Sequence, residues 1–106
     1  MRLRERDKRE ITLYNPLGMN DDIYMWKPQK TKIRAAVYPA GRSLDPKVYG
    51  DRITEMSLML YDGDVALEVG MGVSLDGALP AYDIRSVEKW DHTRAVLEMI
   101  PPGRRG

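Results

Sequence analysis

The sequence predicts an all-β fold, a small antiparallel barrel or sandwich of about five to seven strands with long loops and at most one short helix. Three observations lead to this prediction. Apolar and polar residues alternate through most of the chain, and turn-forming residues recur every 8 to 15 residues. No long segment has the period of about 3.6 residues that is typical of an amphipathic helix. The 106 residues fit one domain with a modest core.

The first half of the chain holds alternating segments that predict strands at 10–14 and 31–38. Residues 15–22 are rich in Asn, Asp, Pro and Gly, which predicts a long hairpin loop. The strand pattern resumes at 24–26, and Pro28 is expected to interrupt it because proline lacks a backbone donor. The residues predicted to face inward are Ile11, Leu13, Ile33, Ala35 and Val37.

The second half of the chain predicts further strands at 53–61, 65–73 and 94–100. The residues that would share their buried faces are Met56, Leu58, Leu60, Val65, Leu67, Val69, Met71, Val73, Ala95, Leu97 and Met99. Between the predicted strands at 65–73 and 94–100, apolar and polar residues alternate from Tyr82, and this alternation changes phase before Val87. We therefore expect a β-bulge near Ser86 that shifts the register.

The net charge of +1 conceals an uneven distribution. Residues 1–10 carry +2 and the residues after Ile100 carry another +2, whereas the body at 11–100 carries −3. We therefore divide the chain into a basic arm at 1–9, a single β-barrel domain at 10–100 and a tail at 101–106. A mildly acidic body with basic ends is not the charge pattern of a dedicated nucleic-acid-binding protein.

The residues that catalysis or metal binding requires are sparse in this chain. The chain has no cysteine and a single histidine, which excludes disulfides, sulfur-ligated zinc and multi-histidine metal sites within one chain. His92 follows Asp91 in a predicted turn, and we interpret it as a solvated turn residue. We expect a protein that is not an enzyme and has no catalytic residues, no cofactor and no metal site.

Aromatic and basic residues in one segment leave a second interpretation open. Tyr24, Trp26, Lys27 and Arg34 could form a stacking platform for single-stranded nucleic acid on a small barrel. Alternatively, the aromatic rings cap the end of the barrel or are buried in a contact between subunits. The charge pattern favours this second alternative.

The order of the segments resembles the head-closure proteins of tailed bacteriophages, also called head–tail connector, stopper or minor capsid proteins. The resemblance covers residues 9–102 and depends on the order and character of the segments. Its segments are REITLYNP from Arg9, DDIYMW from Asp21, IRAAVYP from Ile33, YGDRITEMSLMLYDG, LEVGMGVSLDG from Leu67, and PAYDIRSVEKWDHTRAVLEMIPP.

This resemblance implies a ring with twelve- or six-fold symmetry in the virion neck, assembled in the cytoplasm of the host bacterium. Such a ring closes the filled head beneath a portal or adaptor protein and offers a docking surface to a tail-completion or tail-terminator protein. Genomic DNA would pass through its lumen without sequence-specific contact, and no membrane is involved. By position in the family, residues 39–51 form a loop facing the channel, which carries Arg42, Asp45, Lys47 and Asp51.

The basic ends of the chain suit a role in assembly. Flexible basic segments can become ordered on an acidic surface of a neighbouring protein. The candidate assembly tethers are Arg2, Arg4, Arg6, Arg104 and Arg105.

Overall fold

Six antiparallel strands close into a barrel in the computed structural model of the chain, which describes residues 7–39, 47, 55–89 and 91–105. The strands are β1 (Arg9–Asn20), β2 (Ile23–Pro39), β3 (Met56–Tyr61), β4 (Gly72–Ser74), β5 (Tyr82–Lys89) and β6 (Thr93–Met99), followed by a 3-10 turn at Pro102–Arg104. Neighbours around the barrel follow the order β1-β2-β3-β6-β5-β4. The predicted all-β class and the antiparallel barrel are therefore confirmed.

The core of the barrel is formed by alternate residues of the strands, together with Met71 immediately before β4. Its buried side chains are Ile11, Leu13, Ile33, Ala35, Met59, Tyr61, Met71, Val73, Ile84, Ala95 and Leu97. Val37 and Leu67 are partly buried against them. The inward faces predicted for β1, β2 and most of β6 are confirmed, although Met99 at the end of β6 is exposed.

The predicted burial of Met56 and Leu58 in β3 is confirmed, but the other face of the strand enters the core of the barrel. Met59 and Tyr61 point into the core, whereas Met56 and Leu58 are buried on the opposite face and Leu60 is half-buried. The segment MSLMLY is apolar on both faces, so its alternation alone does not select one. The register with β6 makes the selection, because a shift of one residue turns every side chain to the other face.

The predicted strand at 65–73 is much shorter in the structure. Only β4 at its end is a strand; Met71 and Val73 reach the core, while Val65 and Val69 are exposed. The backbone of Gly70 has a φ of +96°, a left-handed conformation that interrupts an extended chain.

The segment at 15–22 is not a long loop. β1 continues to Asn20, and only Asp21 and Asp22 form the turn that leads into β2, with φ of 52° and 66°. Positive φ at both central residues is the arrangement of a type I′ turn, whose twist matches that of the two strands. Pro28 does not end the strand either, because β2 accommodates it where the register with β1 shifts.

The bulge expected near Ser86 is confirmed. The pairing of β5 with β6 shifts register between Ile84 and Ser86. The extra residue allows Tyr82, Ile84 and Val87 to pack on the same core despite their uneven spacing.

Candidate functional site

A row of paired residues crosses the outer surface of the barrel. Lys30 of β2 pairs with Tyr14 of β1, which pairs with Gly72 of β4. Gly72 pairs with Asp83 of β5, which pairs with Glu98 of β6. Because directly paired residues point to the same face of a sheet, this row faces outward.

The far half of the β1–β2 hairpin, residues 15–30, bends over this outer row. Among the described residues, no other strand pairs with this half of the hairpin, and the register shifts on either side of Pro16 change the direction of its strands. The ring of Trp26 lies over Gly72, where a Cβ atom would come within 2.8 Å of the indole Cη2 and Cζ3 atoms. The ring of Tyr24 stacks on Trp26, with centroids 5.7 Å apart and planes 8° apart. The hairpin is therefore fastened to the barrel by aromatic packing.

An open groove of about 300 Å³ lies beside this aromatic cluster. We call it the aromatic–lysine groove; it is lined by Tyr14, Tyr24, Met25, Trp26, Lys27, Pro28, Lys30 and Leu79. The ring centroids of Tyr14 and Trp26 are 6.3 Å apart, and the ammonium of Lys30 lies 5.4 Å from the centroid of Tyr14. The lining is thus mostly apolar, with two cations at its border.

Two buried carboxylates lie in the same outer row. The Nε atom of Arg85 lies 3.2 Å from Oδ1 of Asp83 and 2.9 Å from Oε1 of Glu98. The hydroxyl of Tyr24 donates to Oδ2 of Asp83 at 3.5 Å. Burial raises the pKa of the Asp83 carboxyl, and the positive charge of Arg85 opposes this increase only in part. These contacts join Tyr24 of β2 and Arg85 of β5 to the two carboxylates, and so connect the hairpin to the wall of the barrel.

The predicted nucleic-acid platform is only partly assembled. Tyr24, Trp26 and Lys27 meet at the groove. Arg34 pairs with Glu10 about 13 Å further along β2 from Lys30, and its Nη2 donates to the carbonyl of Lys8 at 3.5 Å.

The residues predicted for the channel loop and the tethers are mostly outside the described part of the chain. Arg42, Asp45 and Asp51 lie outside it, as do Arg2, Arg4 and Arg6, whereas Lys47 is described and exposed. Arg104 is exposed in the final turn. The Nε atom of Arg105 donates to the carbonyl of Ile100 at 2.9 Å, so this side chain is fastened to its own barrel.

His92 lies in the turn between β5 and β6, as predicted, but is half-buried there. Its Nδ1 atom is buried and has no hydrogen-bond partner among the described residues. In that same part of the chain, no three His, Cys, Asp or Glu side chains are grouped so that they could hold a metal ion. No helix in these segments is long and apolar enough to cross a membrane.

Sequence reasoning missed several residues of this site. It did not identify the contact of Trp26 with Gly72, the buried pair Asp83 and Glu98, or the groove residues Met25 and Leu79. These residues meet only through the register of four strands, and no local pattern indicates that pairing. The sequence carried one signal for this site: a glycine within a predicted strand often marks a position where another group approaches the backbone closely.

Comparisons with known proteins identify no relative of this chain. No family model matches it, and neither the curated proteins nor the solved structures include a significant match.

Proposed function

We propose that this chain is a structural component of the neck of a tailed bacteriophage. In this proposal, copies of the chain form a ring that closes the DNA-filled head beneath the portal or its adaptor and receives the tail. The observation that carries the proposal is a hairpin with exposed apolar side chains on a closed barrel. Leu17 is 62% exposed and Met19 is 53% exposed, and Ile23 and Met25 lie beside them at the same end of the hairpin.

Such a hairpin supports a role in assembly, because its exposed apolar surface is lost from water when another protein covers it. The described strands close into a barrel in which each strand pairs with two neighbours over part of its length, which limits the edges available to another chain. Pro16 and Pro28 lie in the two strands of the hairpin and limit the addition of a further strand there. In this proposal the exposed side chains of the hairpin form the contact between copies.

The charge distribution agrees with a ring through which DNA passes. A body of net charge −3 repels phosphate weakly and would let DNA slide, whereas a basic wall would bind it. In this proposal the loop at 39–51 faces the lumen, and Arg42, Asp45, Lys47 and Asp51 are its charged residues.

The test is genetic and structural. We expect phage particles from a strain with a nonsense codon in this reading frame to contain filled heads that leak DNA, together with free, unattached tails. Electron microscopy of particles that carry a C-terminal tag on this chain should place a symmetric ring of label between head and tail. Normal tailed particles without the chain, or label elsewhere in the particle, would contradict the proposal.

A second candidate function is the binding of single-stranded nucleic acid in the aromatic–lysine groove. The convergence of Tyr24, Trp26 and Lys27 with Lys30 favours it, because aromatic faces and cations are the usual platform for bases and phosphates. However, Tyr24 and Trp26 stack on each other, so one face of each ring is not available for stacking on a base.

This second function predicts a salt-sensitive affinity for an oligonucleotide. Replacement of Trp26 by Ala should then weaken binding by about 1–3 kcal/mol. Replacement of the exposed Tyr38, which does not line the groove, should leave the affinity unchanged. Titration by fluorescence anisotropy at low ionic strength measures both, and no binding by the natural chain would exclude this function.

A further inference from the structure

We propose that the tip of the β1–β2 hairpin of one copy docks into the aromatic–lysine groove of a second copy of this chain. The hairpin tip is defined here as residues 17–23. This inference rests on the proposed function and deepens it, since it names the contact through which copies of the chain join in the ring.

The hairpin tip combines negative charge with exposed apolar side chains. Asp21 and Asp22 form the turn, and no hydrogen bond or ion pair holds either carboxylate within the described segments. Leu17, Met19 and Ile23 flank them and are exposed. A tip of this kind fits a surface that is apolar in its centre and basic at its border.

The aromatic–lysine groove has the complementary character. Trp26 and Leu79 contribute apolar surface, and Lys27 and Lys30 supply two positive charges. In the part of the chain that the structure describes, neither ammonium has a carboxylate partner. Two cations without a carboxylate partner among the described residues therefore lie beside the apolar lining, and they match the two carboxylates of the tip in number and in sign.

The geometry requires two different molecules for this contact. Asp22 directly precedes β2, and the extended strand places Lys27 about 16 Å from it along the chain. The carboxylates of the tip therefore do not reach the lysines of their own groove. A contact between two different surfaces of identical chains is heterologous, and repeated contacts of this kind close into a ring when the rotation permits.

The groove alone would also fit a short single-stranded nucleic acid, but that ligand leaves the acidic tip without a role. Docking of a second copy uses both surfaces at once. We therefore favour the second copy and treat nucleic acid as an outcome of the test.

A charge-swap experiment tests the contact directly. The tip variant carries Asn20→Lys, Asp21→Asn and Asp22→Asn, which reverses the charge of the tip and keeps turn residues that tolerate positive φ. The groove variant carries Lys27→Glu and Lys30→Glu. The control variant carries Asp7→Asn and Asp64→Asn, which removes two exposed carboxylates outside the hairpin. Circular dichroism establishes that each variant is folded, and the double variant D21N/D22N replaces the tip variant if that one is not.

Self-association of the full chain is measured by sedimentation velocity across a range of concentrations. We expect the natural chain and the control variant to associate equally. The tip variant and the groove variant should each associate at least about tenfold more weakly, because each places like charges opposite one another. An equimolar mixture of the two should regain association, since each variant then meets a surface of opposite charge.

Three outcomes overturn the inference. The first is a natural chain that stays monomeric up to its solubility limit, and the second is association that neither variant weakens. The third is loss of oligonucleotide binding in the groove variant with unchanged self-association, which assigns the groove to nucleic acid. The labelling experiment tests the proposed function separately. A ring of label in the neck of particles would support that function even if the docking contact is wrong, and the absence of such a ring would contradict it.

Discussion

The indole of Trp26 occupies the space that a side chain at position 72 would fill. A Cβ atom on Gly72 would come within 2.8 Å of two ring carbons of Trp26 and within 2.7 Å of Cγ of Pro80. Real Cβ atoms do not approach other atoms so closely, so the missing side chain is what lets the hairpin lie against the barrel. This contact brings Trp26, which lines the aromatic–lysine groove, against the wall of the barrel.

Replacement of Gly72 by Ala should lower the free energy of unfolding by about 1–3 kcal/mol, the usual cost of overpacking. The added methyl group has to displace the indole of Trp26 or the ring of Pro80. Urea unfolding measures the loss. Gly103→Ala is the control, because a Cβ there meets nothing within 4 Å. Equal stability of the two variants would show that Trp26 does not rest on Gly72.

Replacement of Asp83 by Asn should raise the melting temperature at pH 7 by about 2–5 °C. Burial raises the pKa of Asp83 in the folded state above its ordinary value of 3.8, so ionisation of this carboxyl costs the folded protein stability. The stability of the natural chain therefore falls as the pH rises from the unfolded pKa through the raised folded pKa.

The gain from Asp83→Asn should accordingly shrink as the pH is lowered towards 3, where the natural carboxyl is protonated and resembles the amide. Thermal unfolding at a series of pH values measures this trend. Asp64→Asn at an exposed position is the control. If the variant is instead less stable at pH 7, the ion pair with Arg85 outweighs the cost of burial.

Lys8 should contribute more to stability than a lysine on the surface of the barrel. Its ammonium lies 3.0 Å from Oδ1 of Asp62, and the two side chains are only 8% and 17% exposed. Lys8→Met should cost about 1–3 kcal/mol, because the substitution leaves the buried carboxylate without this cation.

The control for Lys8 is the pair between Lys32 and Glu10, with a separation of 3.7 Å and side chains 71% and 65% exposed. Lys32→Met should change the free energy of unfolding by less than about 0.5 kcal/mol, because water and salt screen this pair. Denaturant titrations of both variants give the comparison. Equal losses would mean that burial does not strengthen the Lys8 pair.

Replacement of Asp22 by Gly should stabilise the chain by about 0.5–1 kcal/mol. Its φ of 66° lies in the left-handed region, where glycine is free of the steric cost that other residues bear. Asp64 is exposed and has no positive φ, so Asp64→Gly relieves no steric cost in the folded chain. The substitution should lower stability slightly, because glycine increases the conformational entropy of the unfolded chain. Melting temperatures that move in the same direction for both variants would count against a type I′ turn.

Local alternation of residue types was sufficient to predict much of the barrel. The strands around Ile11, Ile33 and Leu97 follow directly from a period of two, and a phase change in that period located the bulge at Ser86. The same logic is wrong at 15–22, where Asn, Asp and Gly predict a long loop although only Asp21 and Asp22 turn the chain. Composition indicates that a turn is near; the pairing of the flanking strands decides how short it is.

The sequence by itself determined the fold class, the approximate strands and the acidic body with basic ends, because each of these depends on residues close together in the chain or on simple composition. The tertiary structure alone decided which face of MSLMLY enters the core, that the hairpin bends over Gly72, and that Asp83 and Glu98 are buried side by side. These features depend on the register between strands up to 60 or more residues apart, as in the pairing of Thr12 with Ser74. A periodic pattern has the same form in every such register, so only packing of the whole chain selects one.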